Sequence, residues 1–151
     1  MNTQSNASLA PHPARTHLKV NSINWWIWVL LSLLMALSLA GYEMCQTFAL
    51  SGALMHAAVS LARHRYLAHF PTQVRITFVF WLALSFIPAL SPLLWSLTVG
   101  TLIFVLFGYC PIARMLLFLP FNRDDRLTLR KVREILLHPP VYGSIRHTVT
   151  L

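Results

Sequence analysis

This chain is poor in acid. Its 151 residues carry four Asp+Glu against twelve Lys+Arg, and charged residues make up 11% of the total. A soluble domain usually holds roughly a quarter charged residues, so a charge-covered globule is excluded by composition. Two cysteines, Cys45 and Cys110, are too few for a disulfide framework. There is no metal-ligand cysteine spacing, no glycine-rich phosphate loop and no internal repeat. The apolar stretches hold no paired carboxylates, which removes the usual acid and base of a hydrolytic site.

What remains is apolar and basic. Hydrophobic residues reach 56%, mean hydropathy is +0.60, and the formal net charge is +8. A basic excess can signal phosphate neutralisation on nucleic acid. Here the basic residues flank apolar runs and do not line one polar face, so the charge reads as a membrane-surface feature and no nucleic-acid partner is expected.

Four apolar stretches follow one another: residues 23–42, opening with "INWWIWVLL", then 44–62, 76–90 and 93–109. A spanning helix needs ~20 residues, within a range of ~17–25. The first and fourth meet this, the third is short, and the second is softened by Gln46, Thr47, Ser51 and His56. The connections support the division. Arg15 and Lys19 precede the first stretch; Arg63, Arg65 and Arg75 lie between the second and third; the other seven Lys/Arg follow the fourth. The links "GYE" and "SP" carry Glu43 alone. All twelve basic residues thus fall on one side, which the positive-inside rule makes cytoplasmic. The expected fold class is all-α: a polytopic integral membrane protein of four transmembrane helices as two hairpins, plus a C-terminal amphipathic surface helix. Residues 1–22 form a flexible cytoplasmic tail, 23–110 the four-span domain and 111–151 an interfacial and cytoplasmic segment. The competing reading makes residues 1–40 a signal peptide with "SLA" before Gly41.

The second span has small residues at fourfold spacing, Ala49, Ala53 and Ala57, with Gly52 and Ser60 beside them; Ser96 and Gly100 repeat this in the fourth. Such faces let backbones approach closely in lipid, so the second span is expected to be the buried, central helix. Trp25, Trp26, Arg63, Arg65, Arg75, Arg114 and Arg123 are expected interfacial anchors. In "DDRLTLRKVREILLHPP", Leu129, Val132, Ile135 and Leu136 recur at helical spacing opposite Arg130, Lys131 and Arg133. Asp124 and Asp125 suit the helix start and Pro139 its end. A basic amphipathic helix of this kind suits the inner leaflet or a soluble partner.

Three features bear on chemistry. His56, on the row Gly52–His56–Ser60, is an ionisable group at membrane depth, suited to haem iron or a proton relay. Its plainer reading is a neutral ring bonded to a Ser or Thr of a neighbouring helix. "RHRYLAHFP" resembles the first histidine box of membrane fatty-acid desaturases. That family needs further histidine clusters for its metals, and His12, His17, His138 and His147 form no HxxHH pair, so His64 and His69 read as interfacial residues. Cys110 precedes Pro111, which biases it away from helical geometry and suits the first position of a new helix. At that cap, the helix dipole and Arg114 would lower its pKa, making it a nucleophile or sulfur carrier. Its plainer reading is a small residue at a helix joint, with Arg114 reaching lipid phosphates.

The stretch from "QVRITFVFWLAL" through "LSPLLWSLTVGTLIFVLFGYCPIARML", about residues 73–118, resembles a small bacterial inner-membrane domain family, the YgaP-like transmembrane domain. The resemblance rests on Gly108, Tyr109, Cys110 and Pro111, with Arg75 leading into the hairpin; the family's Asp-Arg pair is absent. It implies a helical hairpin with this orientation. Because the family also occurs fused to rhodanese sulfurtransferase domains, it implies sulfur chemistry at Cys110.

The expected function is that of a non-enzymatic accessory or scaffold subunit in the bacterial cytoplasmic membrane, without cofactor or metal. Its partners are membrane lipids and other membrane proteins or further copies of itself. The alternatives are a thiol- or sulfur-handling protein using Cys110 and a haem-binding subunit using His56. A topology reporter fused within the 63–75 connection is expected to report the cytoplasmic side, and a periplasmic signal there overturns the orientation.

Overall fold

A computed structural model describes residues 22–65, 70–119 and 129–137, apart from the side chains of Arg130, Lys131 and Glu134. The N-terminal tail up to residue 21, His69, Arg123, Asp124, Asp125 and Pro139 lie outside the described residues. Among those described, the chain is all-helical and has no strand.

Local chemistry sets each boundary. Helix α1 (Ile23–Leu39) starts where extended Ser22 accepts the Trp25 N–H on its Oγ at 3.3 Å, satisfying one of the donors a helix start leaves open. Helix α2 (Glu43–His64) places Glu43 in its first turn and Arg63 and His64 in its last, each opposing the local end of the helix dipole. Helix α3 (Phe70–Leu84) takes Pro71 in its first turn, where a missing N–H costs nothing. It therefore begins at Phe70, ahead of the expected Ile76. It also ends earlier than expected, because Pro88 holds Ile87 extended (φ −75°, ψ 121°) before a short 3-10 turn, Pro88–Leu90. Helix α4 (Pro92–Phe107) ends at Gly108, whose φ of 72° lets its N–H return to the Phe104 carbonyl at 2.9 Å. Two shorter helices follow, α5 (Pro111–Leu116) and α6 (Leu129–Leu137).

The four longer helices close a ring: α2 packs on α1 and α3, and α4 packs on the same two. The basic residues of the described bundle gather at one end, at the α2–α3 connection and after α4, while Glu43 sits at the other. Each end carries a cross-helix bond. At the basic end, the Trp25 indole donates to the Val105 carbonyl at 3.2 Å, using an acceptor that the last turn of α4 leaves unpaired. At the other end, Gln46 Nε2 donates to Ser85 Oγ at 3.0 Å.

Trp28 organises the interior. Its ring lies edge-to-face against His56 of α2 at 5.6 Å, Phe78 of α3 at 5.1 Å and Phe104 of α4 at 5.4 Å between centroids. One α1 side chain thus touches all three other long helices. Leu31, Met35, Ala49, Ala53, Leu82, Leu94 and Leu97 complete the core around it. The expectation of a central second helix is corrected. Ala49, Ala53, Ala57 and Ser60 are buried, but only 22% of the most apolar window of α2 is. The small residues make a narrow stripe for close approach, with a Gly52 Cβ position 3.4 Å from Leu31, and the bulky face of α2 points outward. In α4, Gly100 sits against the Pro111 ring, whereas Ser96 is exposed and bonds its own helix at the Pro92 carbonyl.

Trp28→Ala is expected to destabilise the bundle by about 3–5 kcal/mol through the cavity it leaves. Thermal unfolding of the purified protein measures this, and Trp28→Phe should lose markedly less.

Candidate functional site

The basic end of the bundle holds two side-chain clusters, each built around an arginine. The first joins α1, α2 and α3. Arg75 lies one turn and a half into α3, and its Nη2 donates to Asn24 Oδ1 at 2.9 Å while its Nη1 donates to Ser60 Oγ. Ser60 also pairs with Thr72 at 2.9 Å between the hydroxyl oxygens, and both residues are buried. His56 completes the cluster, with Nε2 2.9 Å from the same Asn24 oxygen. A guanidinium has donors only, so the Asn24 atom facing Arg75 is the amide oxygen. His56 therefore carries its proton on Nε2 and donates it to Asn24.

Arg75 is thus not a free interfacial anchor: it is half-buried and ties three helices together. The reason is register. Because α3 starts at Phe70, Arg75 faces the end of α2 and the start of α1 instead of leading into the span. Trp25 is likewise half-buried and bonded to Val105, whereas Trp26, Arg63 and Arg65 are exposed.

The second cluster explains the Gly-Tyr-Cys-Pro segment. Gly108 turns the chain out of α4, extended Cys110 caps α5, and Pro111 occupies its first position. This brings Tyr109 and Arg114 together, with the guanidinium carbon 4.0 Å from the phenol ring centroid. Both then reach the last turn of α6: the Tyr109 hydroxyl donates to the Leu136 carbonyl at 2.9 Å, and Arg114 Nη1 donates to the Ile135 carbonyl. These are acceptors that a helix C-terminus leaves open, where a cation is also favoured by the dipole. Arg114 was expected to reach lipid phosphates. At 2% exposure it is instead buried beneath α6, because Ile135 packs onto Phe70, Leu116 and Leu117 and carries the end of α6 over it. The expected surface helix is therefore anchored to the bundle through Ile135, while Leu129, Leu136 and Leu137 stay exposed.

Cys110 borders a cavity of about 50 Å³ that is lined also by Trp28, Phe78, Gly100, Thr101 and Phe104. Cys110 is half-buried, and desolvation by this burial pushes the pKa of its thiol up. The backbone of Ala113 and Ile112 and the charge of Arg114 act in the opposite direction without overcoming it. The expected activation of the thiol by the helix start and Arg114 is thus reversed: the burial that hides Arg114 also desolvates the sulfur. Cys45 lies at the other end of α2, and both cysteines are free.

Among the described residues no group of three or more His, Cys, Asp or Glu side chains is placed to hold a metal ion. Sequence reasoning singled out His56, Ser60 and Arg75 separately and missed Asn24 and Thr72, which join them. The signal for Asn24 was present: it is the one amide in "INWWIWVLL". No family model, curated protein or solved structure matches this chain.

For Cys110 the sign is definite. A raised thiol pKa keeps the neutral form populated to higher pH, so maleimide labelling of folded Cys45→Ser protein is expected to reach half its maximal rate at a higher pH than the denatured protein. A midpoint at or below that of the denatured chain contradicts this.

Proposed function

We propose that the chain is a small integral membrane protein of four spans, with both termini cytoplasmic, acting as a non-enzymatic accessory subunit of a membrane assembly. The observation that carries the reading is the apolar exterior of the bundle, combined with buried hydroxyls that are satisfied without water. Its interior holds the hydroxyls of Ser32, Ser60, Thr72, Ser85, Thr98 and Thr101, while Phe48 (65% exposed), Met55 (69%), Trp95 (61%) and Leu106 (70%) lie outside. Ser32, Ser85, Thr98 and Thr101 return their protons to carbonyls three or four residues back, so none needs water. A soluble protein exposing so continuous an apolar surface would associate through it.

One helix, Glu43–His64, is long and apolar enough on its own to cross a bilayer; Ile23–Leu39, Phe70–Leu84 and Pro92–Phe107 are apolar but shorter. At 1.5 Å per residue these three extend about 22–26 Å. That is less than the ~30 Å hydrocarbon thickness, a mismatch that local bilayer thinning and snorkelling at the ends accommodate. The gathering of basic residues at one end supports the cytoplasmic assignment of that end.

The accessory role draws on what the polar groups do. His56 and Arg75 are engaged in joining helices, Arg114 in seating α6, and burial raises the pKa of the Cys110 thiol. Binding of haem iron through His56 Nε2 would require breaking its bond to Asn24. The second reading, a thiol- or sulfur-handling role for Cys110, draws on the cavity the residue borders.

Extraction in mild detergent followed by size-exclusion chromatography and mass measurement tests the proposal. A stable complex with other membrane proteins or with further copies is expected. A lone monomer from native membranes counts against the accessory reading, and recovery in the soluble fraction counts against the membrane reading itself.

A further inference from the structure

The cluster at Arg75 is built from donors whose acceptors run out. Arg75 presents five N–H groups, and Asn24 and Ser60 take two of them. The Asn24 oxygen is spent on Arg75 and His56, so its amide nitrogen is turned away from them, and its two N–H donors have no acceptor among the described residues. Arg63, which is exposed, adds a second guanidinium one turn beyond Ser60 on the same face of α2. No carboxylate balances these charges from within the bundle: Glu43 is the only acidic residue between Ile23 and Phe107, and it lies at the opposite end. The Arg75 partners that the structure does supply, an amide oxygen and a hydroxyl, are neutral.

A cluster with surplus donors, two positive charges and no acid among the described residues is complementary to an oxyanion. Its surroundings narrow the choice. Ile23 (81% exposed), Trp26 (54%) and Ile76 (39%) stand on the same turns of α1 and α3 as Asn24 and Arg75, so exposed apolar side chains lie at the level of the donors. A free anion gains nothing from that surface, whereas a lipid lays its acyl chains along it and brings its phosphate to the donors. We infer that Asn24, Arg75 and Arg63 form a binding site for the headgroup phosphate of an anionic phospholipid, at the junction of α1, α2 and α3. A zwitterionic headgroup fits less well, because it places an ammonium beside two guanidinium groups. The bound phosphate supplies the counter-charge that the bundle lacks, so lipid and helix junction stabilise each other. This rests on the membrane reading above.

The test uses the full-length protein in mild detergent and native mass spectrometry with phosphatidylglycerol, phosphatidylcholine or inorganic phosphate added separately. The wild type is expected to retain phosphatidylglycerol about tenfold better than phosphatidylcholine. Asn24→Asp keeps the oxygen that Arg75 and His56 need but replaces the two outward donors with negative charge. It is expected to abolish the preference while leaving the melting temperature unchanged or higher, since the carboxylate now pairs with Arg75. Arg63→Ala, at an exposed position, should weaken the preference without unfolding the chain. Equal retention of both lipids by the wild type overturns the inference, as does an undiminished preference in both variants. Binding of inorganic phosphate that displaces the lipid overturns the assignment to a lipid source. Protein found in membranes but indifferent to headgroup charge sinks this site alone; protein found in the soluble fraction sinks the membrane reading beneath it.

Discussion

Everything in the bundle passes through Trp28. Edge-to-face aromatic contacts each contribute ~0.5–1.5 kcal/mol beyond the area they bury, and Trp28 makes three, one to each other long helix. A side chain that meets three neighbours at once sets their mutual distances, because moving any one helix loosens the other contacts. The small stripe of α2 follows from the same constraint: Ala49, Ala53 and Ala57 let α2 lie close enough to α1 for His56 to reach the indole. In lipid, where apolar surface is as comfortable outside as inside, such packing drives association in place of the hydrophobic effect.

The aromatic hub fixes distance, and the polar ends fix register. Trp25 to Val105 and Gln46 to Ser85 tie opposite ends of the bundle, and Arg75 ties three helices at one of them. A slip of one residue along any helix would strand these donors, and in a low-dielectric surrounding a stranded donor is expensive. Arg114 and Tyr109 apply the same logic to α6, whose C-terminal carbonyls become the acceptors for a buried guanidinium. The two arginines thus differ in what they still need. Arg114 lies inside the protein over an aromatic face and on a helix end, whereas Arg75 lies at an open junction with neutral partners.

Legibility in the sequence differed by element. The all-helical class, the antiparallel hairpin at Gly41–Tyr42 and the turn at Gly108–Pro111 were readable, since they depend on apolar run length, short links and the local geometry of Gly and Pro. The start of α3 was not. Apolar content alone placed it at Ile76, but helix formation depends on backbone hydrogen bonds and tolerates Thr72, Gln73 and Arg75 once they have partners. Arg114 was misread for a related reason. An arginine after an apolar run resembles an anchor, and only the fold of α5 and α6 brings carbonyls to it. The pKa direction of Cys110 reversed with it, because desolvation depends on what covers a group and not on its neighbours in sequence.

By itself, then, the sequence determined that the described chain is a set of apolar helices and that its Lys and Arg residues flank alternate apolar stretches. Those properties reside in composition and order along the chain. Only the tertiary structure decided that Asn24, His56, Ser60, Thr72 and Arg75 share one hydrogen-bonded junction, and that Cys110 borders a cavity while Arg114 is spent on α6. Such facts depend on helices meeting at particular registers, and a contact between residues 51 positions apart, as between Asn24 and Arg75, leaves no mark in local sequence.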